Sequence, residues 1–222
     1  MADIIVAGNT SGSITISAPL VAGSGVLTLP TGTDTLIGKA TTDTLTNKSI
    51  AATQLTGTIA AAALPAGTVL QVVSSTKTDT FTSATLGWLD VTGLSVSITP
   101  RSTSSKIMVF GRTTGAGTSG GTRMQMRLVR DATSISIGDA AGIRLQVSGN
   151  EIYGNNIDSD IYLGSTAFYL DSPATTSAST YKIQVLNGNA TNTIYINRTQ
   201  NDSNAGVTPR GTSSITVMEI QG

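Results

Sequence analysis

All nine aromatic residues of this 222-residue chain lie at position 81 or later. Residues 1–67 carry only five charges and consist mostly of Thr, Ser, Gly and Ala, with isolated Val, Ile and Leu. A buried aromatic side chain removes roughly 150–250 Å² from water, so a segment without any cannot offset its own chain entropy as a monomer. Its low charge and frequent β-branched residues argue against disorder. We therefore expect residues 1–67 to fold by burying small apolar side chains against other chains.

The composition excludes several classes of function. The chain has 13 basic and 13 acidic residues, no His and no Cys. It therefore lacks the residues for a Ser-His-Asp triad, a Cys nucleophile or a zinc site of the usual kind, so we predict no enzyme activity, no metal and no cofactor. The sparse, balanced charge argues against nucleic acid as a partner. No run of 18 apolar residues and no signal peptide is present, so we expect no membrane insertion, no export by the standard route and synthesis in a cytoplasm.

Short strand patterns with turn residues between them fill the chain after a Pro-Gly stop at residues 64–67. Eight to eleven strands at this spacing are typical of an antiparallel β-sandwich, here predicted to be jelly-roll-like. We therefore predict an all-β chain with an extended, intertwined stalk over residues 1–67 and a head domain over residues 68–222. The strands are predicted at 68–73, 79–82, 94–99, 105–111, 123–130, 133–137, 143–148, 161–170, 180–186, 193–198 and 214–220.

Two of these strands alternate clearly between apolar and polar residues. In residues 123–130 (RMQMRLVR), the two Met and the Leu lie on the face opposite the first two Arg, and in residues 181–185 (YKIQV) the Lys and Gln are expected to point outward. Between the strands at 105–111 and 123–130, the glycine-rich stretch 115–121 is predicted to be an exposed hairpin loop. In the stalk, the same alternation predicts a strand at 13–17.

Several segments together resemble the fibre proteins of tailed bacteriophage particles. Residues 43–50 (DTLTNKSI) resemble a DTLTNK-type segment of such proteins, and residues 14–19 (ITISAP) and 27–30 (LTLP) are similar to their N-terminal pattern. Residues 55–65 look like their junction between shaft and head. The head resembles their tip domains in four segments, which are residues 67–72 (GTVLQV), 168–173 (FYLDSP), 181–185 (YKIQV) and 213–219 (SSITVME).

This resemblance implies a homotrimeric virion protein, with an N-terminal end attached to other virion proteins and a C-terminal head that faces outward. The apolar residues nearest the N-terminus, Ile4, Ile5 and Val6, are the candidates for that attachment. A tail fibre that binds the host surface is the first interpretation. A capsid-decorating head fibre or cement protein is the alternative, because the chain is short for a fibre that reaches the host. A polysaccharide depolymerase is the third interpretation.

One polar segment, residues 153–162, is the best candidate for host recognition. It combines tyrosine rings, which can stack on sugars, with amides and carboxylates that can bind hydroxyl groups. The candidate ligand is a host surface glycan. The predicted receptor-binding residues are Tyr153, Asn155, Asn156, Asp158, Asp160 and Tyr162. The same oxygen atoms could instead hold Ca²⁺, or the segment is a solvated turn with its two Tyr packed at strand ends. A glycosidase needs paired carboxylates, for which Asp158 and Asp160 are the only close pair.

Two further features have structural interpretations beside functional ones. Trp88, the only tryptophan, is predicted to pack in the core or in a subunit interface rather than to form a ligand platform. Arg123, Arg127 and Arg130 are predicted to lie on a solvated face or to form inter-subunit ion pairs with Asp131 or Asp139, rather than to form a nucleic-acid patch.

Overall fold

A computed structural model describes residues 49–51, 53, 56–57, 59–118, 122–154, 159–160 and 162–222, and the backbone of two short strands nearer the N-terminus. The chain divides into two compact units, Met1–Thr56 and Gly57–Gly222. In the first unit, β1 (Ile4–Ala7) pairs with β2 (Ser13–Ile16) in an antiparallel ladder. The predicted strand at 13–17 is thus present. The predictions for residues 17–48, including the DTLTNK-type segment up to Lys48, lie outside the described residues.

The second unit is an antiparallel β-sandwich, which confirms the predicted fold class. A single 3₁₀ turn, Ala61–Ala63, precedes its strands. The strands are β3 (Val69–Lys77), β4 (Phe81–Ser83), β5 (Gly87–Ile98), β6 (Lys106–Gly117), β7 (Thr122–Arg130), β8 (Thr133–Ile135), β9 (Ile152–Gly154), β10 (Leu163–Asp171), β11 (Ser179–Asn187), β12 (Ile194–Ile196) and β13 (Ser213–Ile220).

The longer strands alternate between two sheets. The first sheet contains the order β3-β13-β6-β10, and β12 and β4 extend it beside the far end of β6. The second sheet has the order β5-β11-β7, with β8 and β9 both pairing with β7. Along the chain, successive long strands belong alternately to the two sheets: β3, β6, β10 and β13 to the first, and β5, β7 and β11 to the second. This connectivity is that of a jelly roll.

The core lies between the two sheets and follows from the period of two along each strand. Met124, Met126 and Leu128 of β7 are buried, as are the inward residues of β11. They meet Val109 and Val217 of the first sheet in one continuous cluster. The inward and outward faces predicted for residues 123–128 and 181–185 are therefore confirmed.

The glycine-rich stretch corrects one prediction. Instead of a hairpin loop, residues 115–117 continue β6, and β6 and β7 belong to different sheets. A Cβ atom at Gly115 would lie 2.0 Å from the carbonyl oxygen of Tyr195. The missing side chain therefore lets β12 pair closely with the end of β6, which is a packing role for glycine rather than a turn role.

The predicted strand at 143–148 is also wrong, because these residues form turns and irregular structure. Ser148 is held there by side-chain bonds: its hydroxyl donates to the Ile135 carbonyl and accepts from the Leu128 amide. The short strand β9 was not predicted. Its three residues give too brief an alternation to be read from sequence.

Candidate functional site

The predicted receptor segment connects β9 to β10. The backbone of Tyr153 pairs with Arg123 of β7, whereas Asn155, Asn156 and Asp158 lie outside the described residues. Asp160 and Tyr162 are both half-buried. Of the six candidates, the structure thus describes the side chains of these two.

Both side chains bind other parts of the head. The Asp160 carboxylate accepts a 2.8 Å hydrogen bond from the Asn201 amide. The Tyr162 hydroxyl donates to Thr114 Oγ1 on β6. These bonds hold the end of the segment to β6 and to the loop before β13. A role of this segment in recognition of the host stays a prediction.

Thr114 in turn belongs to a buried cluster centred on Asn197. The Asn197 amide donates 2.8 Å hydrogen bonds to the carbonyl oxygens of Lys77 and Asp79. Its side-chain oxygen accepts from Ser213 Oγ at 2.7 Å and from Thr114 Oγ1 at 3.2 Å. Asn197 has a φ of 63°, a left-handed conformation that Asn tolerates better than most residues. This single side chain therefore connects β3, β6, β13 and the end of β12.

The outer surface of the second sheet is polar. We call it the polar face and define it by Trp88, Asp90, Arg127, Lys182 and Gln184. The Arg127 guanidinium lies 4.1 Å from the centre of the half-buried Trp88 ring and donates to Gln184 Oε1 at 2.8 Å. Trp88 is thus packed against a cation on a sheet surface, neither in the core nor as an open platform.

Asp90 completes the polar face. Lys182 Nζ donates to it at 2.8 Å and Gln184 Nε2 at 2.6 Å. Partial burial raises the pKa of Asp90, but the hydrogen bonds from Lys182 and Gln184 outweigh it, so the pKa lies below its ordinary value. The carboxylate therefore stays charged at neutral pH. The polar groups of this face are hydrogen-bonded to one another at the surface.

Within the chain, Arg123 and Arg130 of β7 form ion pairs. Arg123 pairs with Glu151, which also accepts a 2.9 Å hydrogen bond from Gln125. Arg130 pairs with Asp171 at 2.6 Å. Asp131 Oδ1 accepts a 2.8 Å hydrogen bond from the Thr180 amide. Ion pairs between these arginines and Asp131 or Asp139 of a neighbouring subunit stay a prediction.

The Arg130 pair belongs to a buried cluster at one end of the sandwich. Asp171 also accepts a 2.7 Å hydrogen bond from the hydroxyl of Tyr181, which is fully buried. Burial raises the pKa of Tyr181, and the hydrogen bond to the charged Asp171 raises it further. This cluster joins β7, β10 and β11, with Asp171 and Tyr181 buried and Arg130 partly exposed at its rim.

The outer surface of the first sheet contains an apolar patch. We call it the apolar face and define it by Val72, Met108, Phe110, Phe168, Leu170 and Met218. The register forms two rows across the strands: Val72, Met218, Met108 and Leu170 lie side by side, and Ser74, Thr216, Phe110 and Phe168 form the next row. Phe168 is 74% exposed in the single chain. Phe110 and Phe168 also line a shallow pocket with Arg112, Thr166 and Ser214.

Sequence reasoning missed the apolar face, although a signal for it was present. Residues 107–110 (IMVF) and 167–170 (AFYL) are unbroken apolar runs, whereas a half-exposed strand alternates. Such runs indicate strands that are covered on both sides. Both runs lie in predicted strands, at 105–111 and 161–170, but strand pattern alone does not show what covers their outer side.

Neither metal ligation nor a membrane span is indicated by the described part of the chain. It contains no group of three or more His, Cys, Asp or Glu side chains that could hold a metal ion. Of the possible calcium ligands, only Asp160 lies within it. Nor does it contain a helix with the length and apolarity needed to cross a bilayer.

The attachment candidates Ile4, Ile5 and Val6 form most of β1, where they pair with Ile16, Thr15 and Ile14 of β2. This two-stranded ladder belongs to the first unit. A two-stranded ladder alone is marginally stable in water. Attachment through these residues stays a prediction.

Comparison with known proteins gives a structural similarity but no family. No protein-family model matches the chain, and no curated protein matches it. Among solved structures, the chain is similar to the tripod from the baseplate of bacteriophage Tuc2009, with 13% sequence identity and a TM-score of 0.34. The similarity covers 89% of this chain and 84% of that chain.

Proposed function

We propose that this chain is a structural protein of a tailed bacteriophage particle: a homotrimeric fibre whose N-terminal segment attaches to the virion and whose jelly-roll head faces outward. In the first form of the proposal, it is a tail fibre that binds the host surface. The sequence resemblance over residues 43–50 and the head segments supports this class of protein.

The observation that carries the proposal is the unequal distribution of core-forming residues. The buried cluster of the head is drawn from strands between Val91 and Val217 and includes both sheets. Residues 1–67 contain no aromatic residue. A head with its own core, preceded by a segment that needs neighbouring chains, fits a fibre built from several copies.

The two glutamates of the chain are both hydrogen-bonded within the head. Glu219 is fully buried and accepts hydrogen bonds from the Arg101 amide and from Ser105 Oγ. Glu151 is engaged by Arg123 and Gln125. These bonds favour a structural role for both glutamates, and we propose that the protein is not a depolymerase.

Locating the protein on the particle tests the proposal. Purified particles are labelled with an antibody to the head and imaged, and particles that lack the gene serve as control. Label on tail appendages supports a tail fibre, and label on the capsid supports the alternative, a head fibre or cement protein. Absence of the protein from washed particles contradicts both.

Light scattering on the purified chain tests the oligomeric state separately. We expect a mass three times the 22.6 kDa of one chain. A chain that stays folded and monomeric at micromolar concentration contradicts the fibre. Incubation with host capsular polysaccharide and lipopolysaccharide is expected to leave their chain length unchanged, and shortened chains contradict the proposed absence of catalysis.

A further inference from the structure

The two outer surfaces of the sandwich have opposite character. On the polar face, charged and amide groups bind one another and face water. On the apolar face, two adjacent rows across four strands contain no charged residue. Both surfaces would be equally wet in an isolated head. The difference therefore indicates that something covers the first sheet and not the second.

The size of the apolar face is sufficient for a specific interface. The exposed fractions are 74% for Phe168, 54% for Val72, 47% for Leu170 and 44% for Phe110. With the two half-buried Met, these side chains present on the order of 450 Å² of apolar surface. Three such faces that meet at the axis of a trimer would bury on the order of 1,350 Å² in total, which exceeds the roughly 1,000 Å² expected of a specific contact.

The chemistry of the face favours a second copy of this chain as its occupant. Its two central rows contain no charge, so they offer no complementarity to a charged partner. An apolar surface present on every copy can be buried when copies associate. In addition, β3 begins at Val69, two residues after the segment predicted to need neighbouring chains. Association through this sheet would bring the ends of those segments together.

We infer that the apolar face is the surface through which the copies of this chain associate, which leaves the polar face outward. The inference rests on the proposed function, because it assigns the contact surface of the proposed homotrimer. It places Phe110 and Phe168 in the interior of the assembly. It also assigns any ligand-binding role in the head to the remaining surfaces.

Site-specific thiol labelling tests this inference because the chain has no Cys. Leu170→Cys places a single thiol on the apolar face, and Leu145→Cys places one in the loop between β8 and β9. The two leucines are similarly exposed in a single chain, at 47% and 55%. We expect a soluble maleimide to react with Leu170→Cys at least about tenfold more slowly than with Leu145→Cys in the full chain.

The outcomes separate this inference from the proposed function. Equal labelling rates in a chain that sizes as a trimer overturn the interface but leave the fibre standing. A monomeric mass overturns both, and protection of Leu170→Cys in a monomer shows that the same chain covers the face. Slow labelling at Leu170→Cys in a trimer, with fast labelling at Leu145→Cys, supports the inference.

A charge placed on the face provides a second test. Phe168→Asp in the Leu170→Cys background is expected to lower the mass of the assembly or to raise the labelling rate at least about threefold. Phe168→Leu keeps the surface apolar and is expected to change neither quantity. If Phe168→Asp changes neither, the interface is overturned. If Phe168→Asp does not fold, the labelling comparison at Leu170 decides alone.

Discussion

Replacement of Asn197 by alanine is expected to be among the most destabilising changes in the head. The side chain is fully buried and makes four hydrogen bonds, two to backbone carbonyls and two from hydroxyl groups. Alanine has no polar side-chain atom, so all four hydrogen bonds are lost. It also leaves the carbonyl of the buried Lys77 without this donor.

The magnitude follows from the number of bonds and from the backbone. Each buried hydrogen bond contributes about 0.5–1.5 kcal/mol, so four contribute about 4 kcal/mol before any relaxation. A φ of 63° adds a further cost of about 1 kcal/mol for alanine. We expect Asn197→Ala to lower the free energy of unfolding by about 3–5 kcal/mol. Asn197→Gly loses the same bonds without the φ penalty and is expected to be about 1 kcal/mol less destabilising.

Urea denaturation at one fixed chain concentration measures both variants, with Trp88 fluorescence and circular dichroism as probes. Asn189→Ala is the matched control because Asn189 is exposed and its side-chain oxygen accepts from Thr191 in a surface turn. We expect that control to change the free energy of unfolding by less than about 1 kcal/mol. A loss below about 1.5 kcal/mol for Asn197→Ala would refute the reasoning that this side chain connects the strands.

Two further changes test the buried Tyr181 cluster and the close approach at Gly115. Burial and Asp171 raise the pKa of Tyr181, so the folded state keeps its proton above the ordinary value of 10.0 while the unfolded state releases it. Stability is therefore complete below pH 10 and falls as the pH rises above it, by up to about 1.4 kcal/mol per pH unit relative to Tyr181→Phe. Parallel pH profiles of wild type and Tyr181→Phe in urea denaturation would contradict this. Gly115→Ala would force the Tyr195 carbonyl away, and we expect a loss above about 2 kcal/mol and faster amide exchange in β12. Gly138→Ala, which meets no atom within 4 Å, is the control and is expected to be nearly neutral.

The predicted receptor segment shows where sequence reasoning stops. Its tyrosines and polar residues were found by composition alone. Sequence could not show that Tyr162 donates to Thr114 or that Asp160 binds Asn201, because those partners lie 48 and 41 residues away in the chain. Contacts at such separation depend on strand order, which local pattern does not encode.

The arginines of β7 show the same limit for the partners of charged residues. Alternation predicted correctly that Arg123 and Arg127 lie opposite Met124 and Met126, because side chains on a strand point to alternate faces. It could not identify their partners. Those lie on β11 and beside β9, which become neighbours of β7 only when the sheet forms.

The sequence by itself determined the all-β class, the inward and outward faces of the clearest strands, and the division between an aromatic-free segment and a head that can build a core. These properties depend on composition and on a period of two, which are local. Only the tertiary structure decided that β6 lies between β13 and β10, which joins Met218, Met108 and Leu170 into one surface. Pairing between distant strands creates that surface, and no single strand contains it.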